Sequence, residues 1–169
     1  MNQIGLSINT RGETPDQDLI SIAQHADEQG YHSFWAAESW GRDAFTVLTM
    51  IACHTQNVRL GTGIVNVFSR TPALIAQTIA SLDILSNGRA DVGVGAGWLR
   101  QEWSAAGFDP ATRGKRLDEA LSVCKRLWTE ETISHQGEFY QFEEVMFEPK
   151  PVQQPHPPVY IGGESKAAI

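Results

Sequence analysis

The chain has 169 residues, with 13 Lys and Arg against 20 Asp and Glu, a formal charge of -7 and 41% hydrophobic residues. That composition is an ordinary globular one and excludes a disordered or collagen-like chain; a domain of this length buries about 70% of its unfolded surface, enough for a core. The acidic balance argues against a nucleic-acid groove or an anionic membrane as partner, because both select clustered Lys and Arg. Cys53 and Cys124 lie far apart with no second pair, which leaves neither a disulfide framework nor a zinc ribbon. No segment approaches the ~20 continuous apolar residues of a membrane span. The opening MNQIGLSINT lacks the basic and then apolar order of a signal peptide. The expectation is a soluble cytoplasmic domain with reduced thiols.

The predicted elements alternate. Ile4 to Ile8 is a short apolar strand, followed by the breakers of NTRGETP. A helix runs from Asp16 to Gly30, with Leu19, Ile22, Ala23 and Ala26 as its apolar stripe. Ser33 to Glu38 is the second strand, and Asp43 to Thr55 a helix with Ala44, Val47, Leu48, Ile51 and Ala52 on one face. Val58 to Asn66 is the third strand, interrupted by two glycines. Thr71 then caps a helix that has Pro72 at its first position and carries Leu74, Ile75, Thr78, Ile79, Leu82 and Leu85 as far as Asn87-Gly88. Ala90 to Gly97 holds the fourth strand. After it the rhythm stretches: a helix bearing Leu117, Ala120, Leu121, Cys124, Leu127 and Trp128, a hairpin around Gly137, a proline-rich connector EPKPVQQPHPP, and a fifth strand at Pro158 to Ile161.

Strand starts near 4, 33, 58 and 90 are spaced as βα units. Two parallel architectures answer to that rhythm, an open doubly wound sheet and a closed eight-stranded barrel. Gly93-Val-Gly95-Ala-Gly97 fails as a dinucleotide fingerprint: the third glycine's position is Trp98, and the motif follows the fourth strand instead of the first. The fold class expected is α/β, a (βα)8 barrel present here as about five parallel strands, with a hairpin-containing insertion before the fifth. Residues 1–169 read as the N-terminal part of one such domain, without a boundary inside it.

In a βα barrel the chemistry sits where strands run into their helices. Those exits carry Asn9, Glu38-Ser39-Trp40, Gly61 to Asn66, Gly95 to Trp98, and Gly162-Gly163. Three of the five are glycine-rich. Glycines there either permit close packing of backbone or admit a flat ring or a phosphate to the N–H groups, and their shared end of the barrel favours a ligand. The five histidines show no metal-ligand spacing, so no metal is expected. Asp118 and Glu119 share a helix with Arg113 and Arg116, which predicts ion pairs on its surface. No Gly-x-Ser-x-Gly elbow or Walker loop is present.

WAAESWGRDAF, VRLGTGIVNVFSRTPALIAQTIASLDILSNGRADVGVGAGW, RGKRLDEAL and PKPVQQPHPPVYIGG together span nearly the whole chain. In order and spacing they resemble the first half of the luciferase-like monooxygenases, the bacterial luciferase superfamily of flavin- and deazaflavin-dependent oxidoreductases. ESWGRDA and SRTPALIAQ resemble the actinobacterial branch that uses coenzyme F420. The resemblance implies an oxidoreductase or monooxygenase acting on a small-molecule substrate, with F420 favoured and FMN the alternative, and a homo-oligomer at full length. It implies a bulged third strand with a non-proline cis peptide at Gly63-Ile64 behind the cofactor ring. Glu38 matches an acidic position at the pterin-like end of the ring. Ser39 stands where members that work through a histidine carry it, which puts that acid–base step in doubt. Asn66 lies on the bulge segment. Gly95 and Gly97 match backbone contacts to the cofactor, and Gly162 and Gly163 a contact to its phosphate or ribityl chain. Trp98 and Glu102 fall on a substrate-facing loop, where Trp98 either stacks on a substrate or closes the mouth. The catalytic candidates are therefore Glu38, Ser39 and Trp98.

A complete barrel takes about 250 residues, whereas this chain stops at KAAI after its fifth strand. The expectation is a fragment of a longer enzyme; the alternative is a non-catalytic flavin-binding or regulatory half-barrel.

Overall fold

Chain order and sheet order coincide. In the computed structural model, which describes residues 3–12 and 14–163, the elements run β1 (Gly5–Asn9), α1 (Asp16–Glu28), β2 (Ser33–Ala37), α2 (Ala44–Ala52), β3 (Arg59–Thr62), β4 (Val65–Asn66), α3 (Pro72–Leu85), β5 (Ala90–Gly95), α4 (Arg100–Ala106), a 3-10 turn (Pro110–Thr112), α5 (Arg113–Thr129), β6 (Thr132–Gln136), β7 (Gln141–Met146) and β8 (Val159–Gly162). β1, β2, β3, β5 and β8 lie side by side in that order, all parallel. A doubly wound sheet reverses its strand order at a switch point; no reversal occurs among these strands. The fold is a partial barrel, as the βα spacing predicts, with β1 and β8 as its edges among the described residues. The terminal KAAI lies outside the described residues.

The outer face of the sheet forms the core. Phe34, Ala36, Leu60, Ala90, Val92 and Val94 are buried beneath Val47, Leu48 and Ile51 of α2 and Ile75, Ile79 and Leu82 of α3. Burying each such Leu or Ile contributes roughly 1.5–3 kcal/mol. Thr71 caps α3 as predicted, its hydroxyl accepting from the Leu74 N–H at 3.2 Å. α5 buries the predicted stripe against α3, with Trp128 Nε1 donating to the Ala76 carbonyl at 3.1 Å. Burial pushes the Cys124 thiol up to about 12, which leaves it unreactive.

On the concave face one side chain fills the space. The Trp35 ring lies over Gly61, stands edge-on to Tyr160 at 5.1 Å between centroids, and donates from Nε1 to Ser33 Oγ at 2.8 Å. A β-carbon on Gly61 would overlap that ring.

Three expectations need correction. Ile22, Leu74 and Leu85 are 41%, 43% and 61% exposed, because each falls at the margin of a stripe whose centre meets the sheet. Glu102 is not on a loop: residues 100–106 form α4, which ends on a left-handed Gly107. Glu119 does not pair with the arginines of its helix. It accepts from the backbone N–H groups of Phe139 and Tyr140 and bonds His135 at 3.2 Å, tying down the β6–β7 turn. Burial opposes its charge, but the Tyr140 N–H, His135 and the Phe139 N–H outweigh that and hold its carboxyl below the usual range.

Below the sheet, Asp27 receives the backbone N–H groups of Gln56, Asn57 and Val58 at 2.8, 2.8 and 2.5 Å as the chain enters β3. Burial raises its pKa, but these donors and Arg89 outweigh it and hold the carboxyl below its ordinary value. A depressed carboxyl stabilises the fold above its unfolded pKa, about 3.9, and loses that contribution as pH falls through the folded value. Asp27→Asn is expected to lower unfolding stability by about 1–3 kcal/mol at pH 7, a deficit that shrinks below about pH 4. Urea titrations at pH 7 and pH 3 measure both.

Candidate functional site

The third strand breaks at the mouth of the barrel. β3 pairs with β5 through Gly61 and Asp91, and β4 resumes through Val65 and Val94. Four steps on one strand oppose three on the other, so one residue is extra: a bulge. The Gly63-Ile64 peptide within it is cis, as the resemblance implies. The Ile64 side chain lies across the ends of two neighbouring strands. A β-carbon on Gly95 would stand 2.9 Å from Ile64 Cδ1, and one on Gly162 would stand 2.6 Å from Ile64 Cγ2. Gly63, Ile64, Gly95 and Gly162 therefore converge at one place.

Beside them is a cavity of about 310 Å3, with Glu38, Ser39, Asn66 and Ser69 among its lining. Glu38, at the exit of β2, is doubly held. Oε1 pairs with Arg70 Nη1 at 2.5 Å, and Oε2 accepts from the Ala44 N–H at 3.0 Å at the start of α2. Arg70 also pairs with Asp43, the residue that caps α2 by accepting from the Thr46 N–H at 2.7 Å. Burial works against the Arg70 charge, but Glu38 and then Asp43 outweigh it and raise its pKa. Burial likewise opposes the Asp43 charge, yet Thr46 and Arg70 hold its carboxyl below the usual range.

Ser39 follows with its Oγ buried and without a hydrogen-bond partner among the described residues. Such a group costs about 1–3 kcal/mol unless a ligand or water meets it. Asn66 Oδ1 accepts from the N–H groups of Phe68 and Ser69, each at 2.9 Å. Those bonds orient the amide and leave its NH2 group as the donor that the loop does not use. Gly97 (φ +68) adjoins Glu102 Oε2 and the Asn66 β-carbon.

Of the residues expected at the site, Glu38, Ser39 and Asn66 line the cavity, while Gly63, Ile64, Gly95, Gly97 and Gly162 sit at the bulge or the strand ends beside it. Gly163 is exposed beyond β8, and Trp98 is 72% exposed and outside the cavity lining. Sequence reasoning missed the Arg70 clamp and the contribution of α4, whose Ala105 and Ala106 complete the wall. The cap at Asp43 and the stop at Gly107 were the available cues. Among the described residues no cluster could hold a metal ion, and no helix is long and apolar enough to cross a membrane.

Comparison with known proteins places this geometry. Residues 3–169 match the luciferase-like monooxygenase family. The chain belongs to that family. It is 35% identical over 153 residues to the oxygenase component of a flavin-dependent trigonelline monooxygenase of Acinetobacter baylyi, covering 85% of this chain and 42% of that protein. It is 34% identical over 155 residues to an F420-dependent glucose-6-phosphate dehydrogenase of Kineococcus radiotolerans, covering 85% and 45%. Its fold superposes on a monooxygenase of Streptomyces bottropensis with a TM-score of 0.89 at 32% identity, over 95% of this chain and 53% of the other. The chain thus spans about half the length of its family relatives, and those relatives are named for both flavin and F420 chemistry.

Proposed function

We propose that the chain is the N-terminal part of a single-domain oxidoreductase or monooxygenase that binds a flavin or deazaflavin ring at the barrel mouth and acts on a small organic substrate. The observation that carries this reading is the buried, unpartnered Ser39 hydroxyl in the wall of a cavity that also holds Asn66, two residues beyond Ile64 on the bulged strand. A flat ring needs an apolar surface beneath it and polar partners along one edge, which Ile64 and the polar cavity residues would supply. Ile64 would support the ring face. Ser39 and the Asn66 NH2 group would hydrogen-bond its polar edge, while Glu38, oriented by Arg70, would accept a ring N–H. Backbone N–H groups near Gly97, Gly162 and Gly163 would meet the cofactor's tail. When bound, the cofactor supplies the hydride transfer or the activation of oxygen. Glu38 beside the WGRD segment supports coenzyme F420 over FMN.

Titrating both cofactors against the chain tests this. Coenzyme F420 is expected to bind more tightly than FMN, and Ser39→Ala to weaken it about fivefold to tenfold, the worth of a buried hydrogen bond. Tighter binding of FMN would reverse the preference, and binding of neither would overturn the site.

A further inference from the structure

A second, larger cleft of about 760 Å3 adjoins the first, sharing Trp40 and Ala105 with it. Its walls are aromatic. Trp103 is fixed by donation from Nε1 to the Ala96 carbonyl at 3.0 Å, and Phe108 is held between Phe68, 5.4 Å away, and the Arg116 guanidinium at 4.3 Å. Trp40 also lines the cleft and is 63% exposed. Arg100 stands in the lining, and Arg113 lies over the Trp103 ring at 5.5 Å. The lining contains no carboxylate in a chain with 20 Asp and Glu and a charge of -7. Asp109, between the lining residues Phe108 and Pro110, accepts from the Ala111 N–H at 2.9 Å, and Glu102 lines the first cavity.

We propose that this cleft binds a planar aromatic carboxylate, its ring against Trp40, Trp103 and Phe108 and its carboxylate on Arg100. A neutral aromatic would leave Arg100 unused, and an aliphatic acid would forgo the flat faces. A guanidinium pairs a carboxylate through two parallel N–H bonds, which gives both affinity and orientation. Calling this ligand the substrate rests on the cofactor reading above; the binding itself does not.

The test is calorimetric titration of the chain with 2-naphthoate, 2-naphthamide and cyclohexanecarboxylate, repeated on Arg100→Gln and Trp40→Ala. Both substituted positions are on the surface, so folding is preserved. The naphthoate is expected to bind about tenfold more tightly than either the amide or the aliphatic acid. Arg100→Gln should bring acid and amide level, whereas Trp40→Ala should weaken both about fivefold or more. Equal affinity for acid and amide, an acid preference that survives Arg100→Gln, or no binding of naphthoate would each overturn the proposal. Parallel titrations with coenzyme F420 and FMN separate the two readings. Ring binding without naphthoate binding removes the cleft alone. Naphthoate binding without ring binding leaves the cleft and removes its role as a substrate site.

Discussion

Gly93→Ala is expected to destabilise the sheet by more than about 3 kcal/mol, or to abolish soluble expression, because the added methyl has no space to enter. Gly93 is buried in β5, and a β-carbon there would overlap the Thr62 carbonyl oxygen and stand 2.9 Å from its carbon. Thr62 cannot retreat cheaply. Its Oγ1 donates to the Gly93 carbonyl at 2.7 Å and accepts from the Gly93 N–H at 2.9 Å, so the two residues are joined by both bonds. On its other side Gly93 is in register with Tyr160 of β8. Relief would require β3 and β5 to part and surrender those bonds, and no side chain can rotate away instead. Gly63→Ala is the control. A β-carbon there meets Trp35 Cβ at 3.4 Å, ordinary contact, and should cost no more than about 1 kcal/mol. Urea unfolding followed by circular dichroism compares them, and a wild-type midpoint for Gly93→Ala would refute the close approach.

That glycine also shows where sequence reading stops. A run such as RLGTG or VGVGAG declares that something comes close to the backbone, but not what comes close. At Gly61 it is the Trp35 ring, at Gly93 the Thr62 carbonyl, and at Gly95 and Gly162 the Ile64 side chain. All four approaches are made by protein atoms, whereas the shared strand ends favoured a ligand. The strands were legible because a buried parallel sheet reads as short apolar runs at βα spacing, and the bulge because the family resemblance reached it. α4 was not legible for a physical reason. It buries no residue fully, so it carries no apolar stripe, and only its left-handed Gly107 marks an end. Glu38 could be found from its place at a strand exit, but its partner Arg70 is 32 residues away and nothing local couples them. Glu119 misled for the converse reason. Arginines stood at helical spacing beside it, yet the N–H groups of a distant turn needed an acceptor more.

Arg70→Met is expected to lower stability by about 3–5 kcal/mol at pH 7, the usual cost of removing one partner from a buried ion pair. The Glu38 and Arg70 side chains are 14% and 11% exposed, so the loss leaves an unpaired carboxylate in the cavity wall. Asp43, 42% exposed, adds less because solvent screens it. The pH dependence distinguishes a lost charge pair from lost packing. In the parent chain Asp43 is held below the usual carboxyl range, so its contribution is present above about pH 4, its unfolded value, and fades as pH falls through the folded one. With methionine at position 70 only Thr46 remains to depress it, and less stability is left to lose. The gap between the two proteins should therefore narrow as pH falls below about 4. Adding Glu38→Gln to Arg70→Met should recover part of the loss, since the double variant buries no uncompensated charge; a coupling of about 1–3 kcal/mol is expected for residues in contact. A deficit within about 1 kcal/mol at neutral pH, or one that stays constant from pH 7 to pH 3, would show that the ion pairs contribute little and that Arg70 acts through the packing of its guanidinium over the Phe45 ring, 5.1 Å from the centroid.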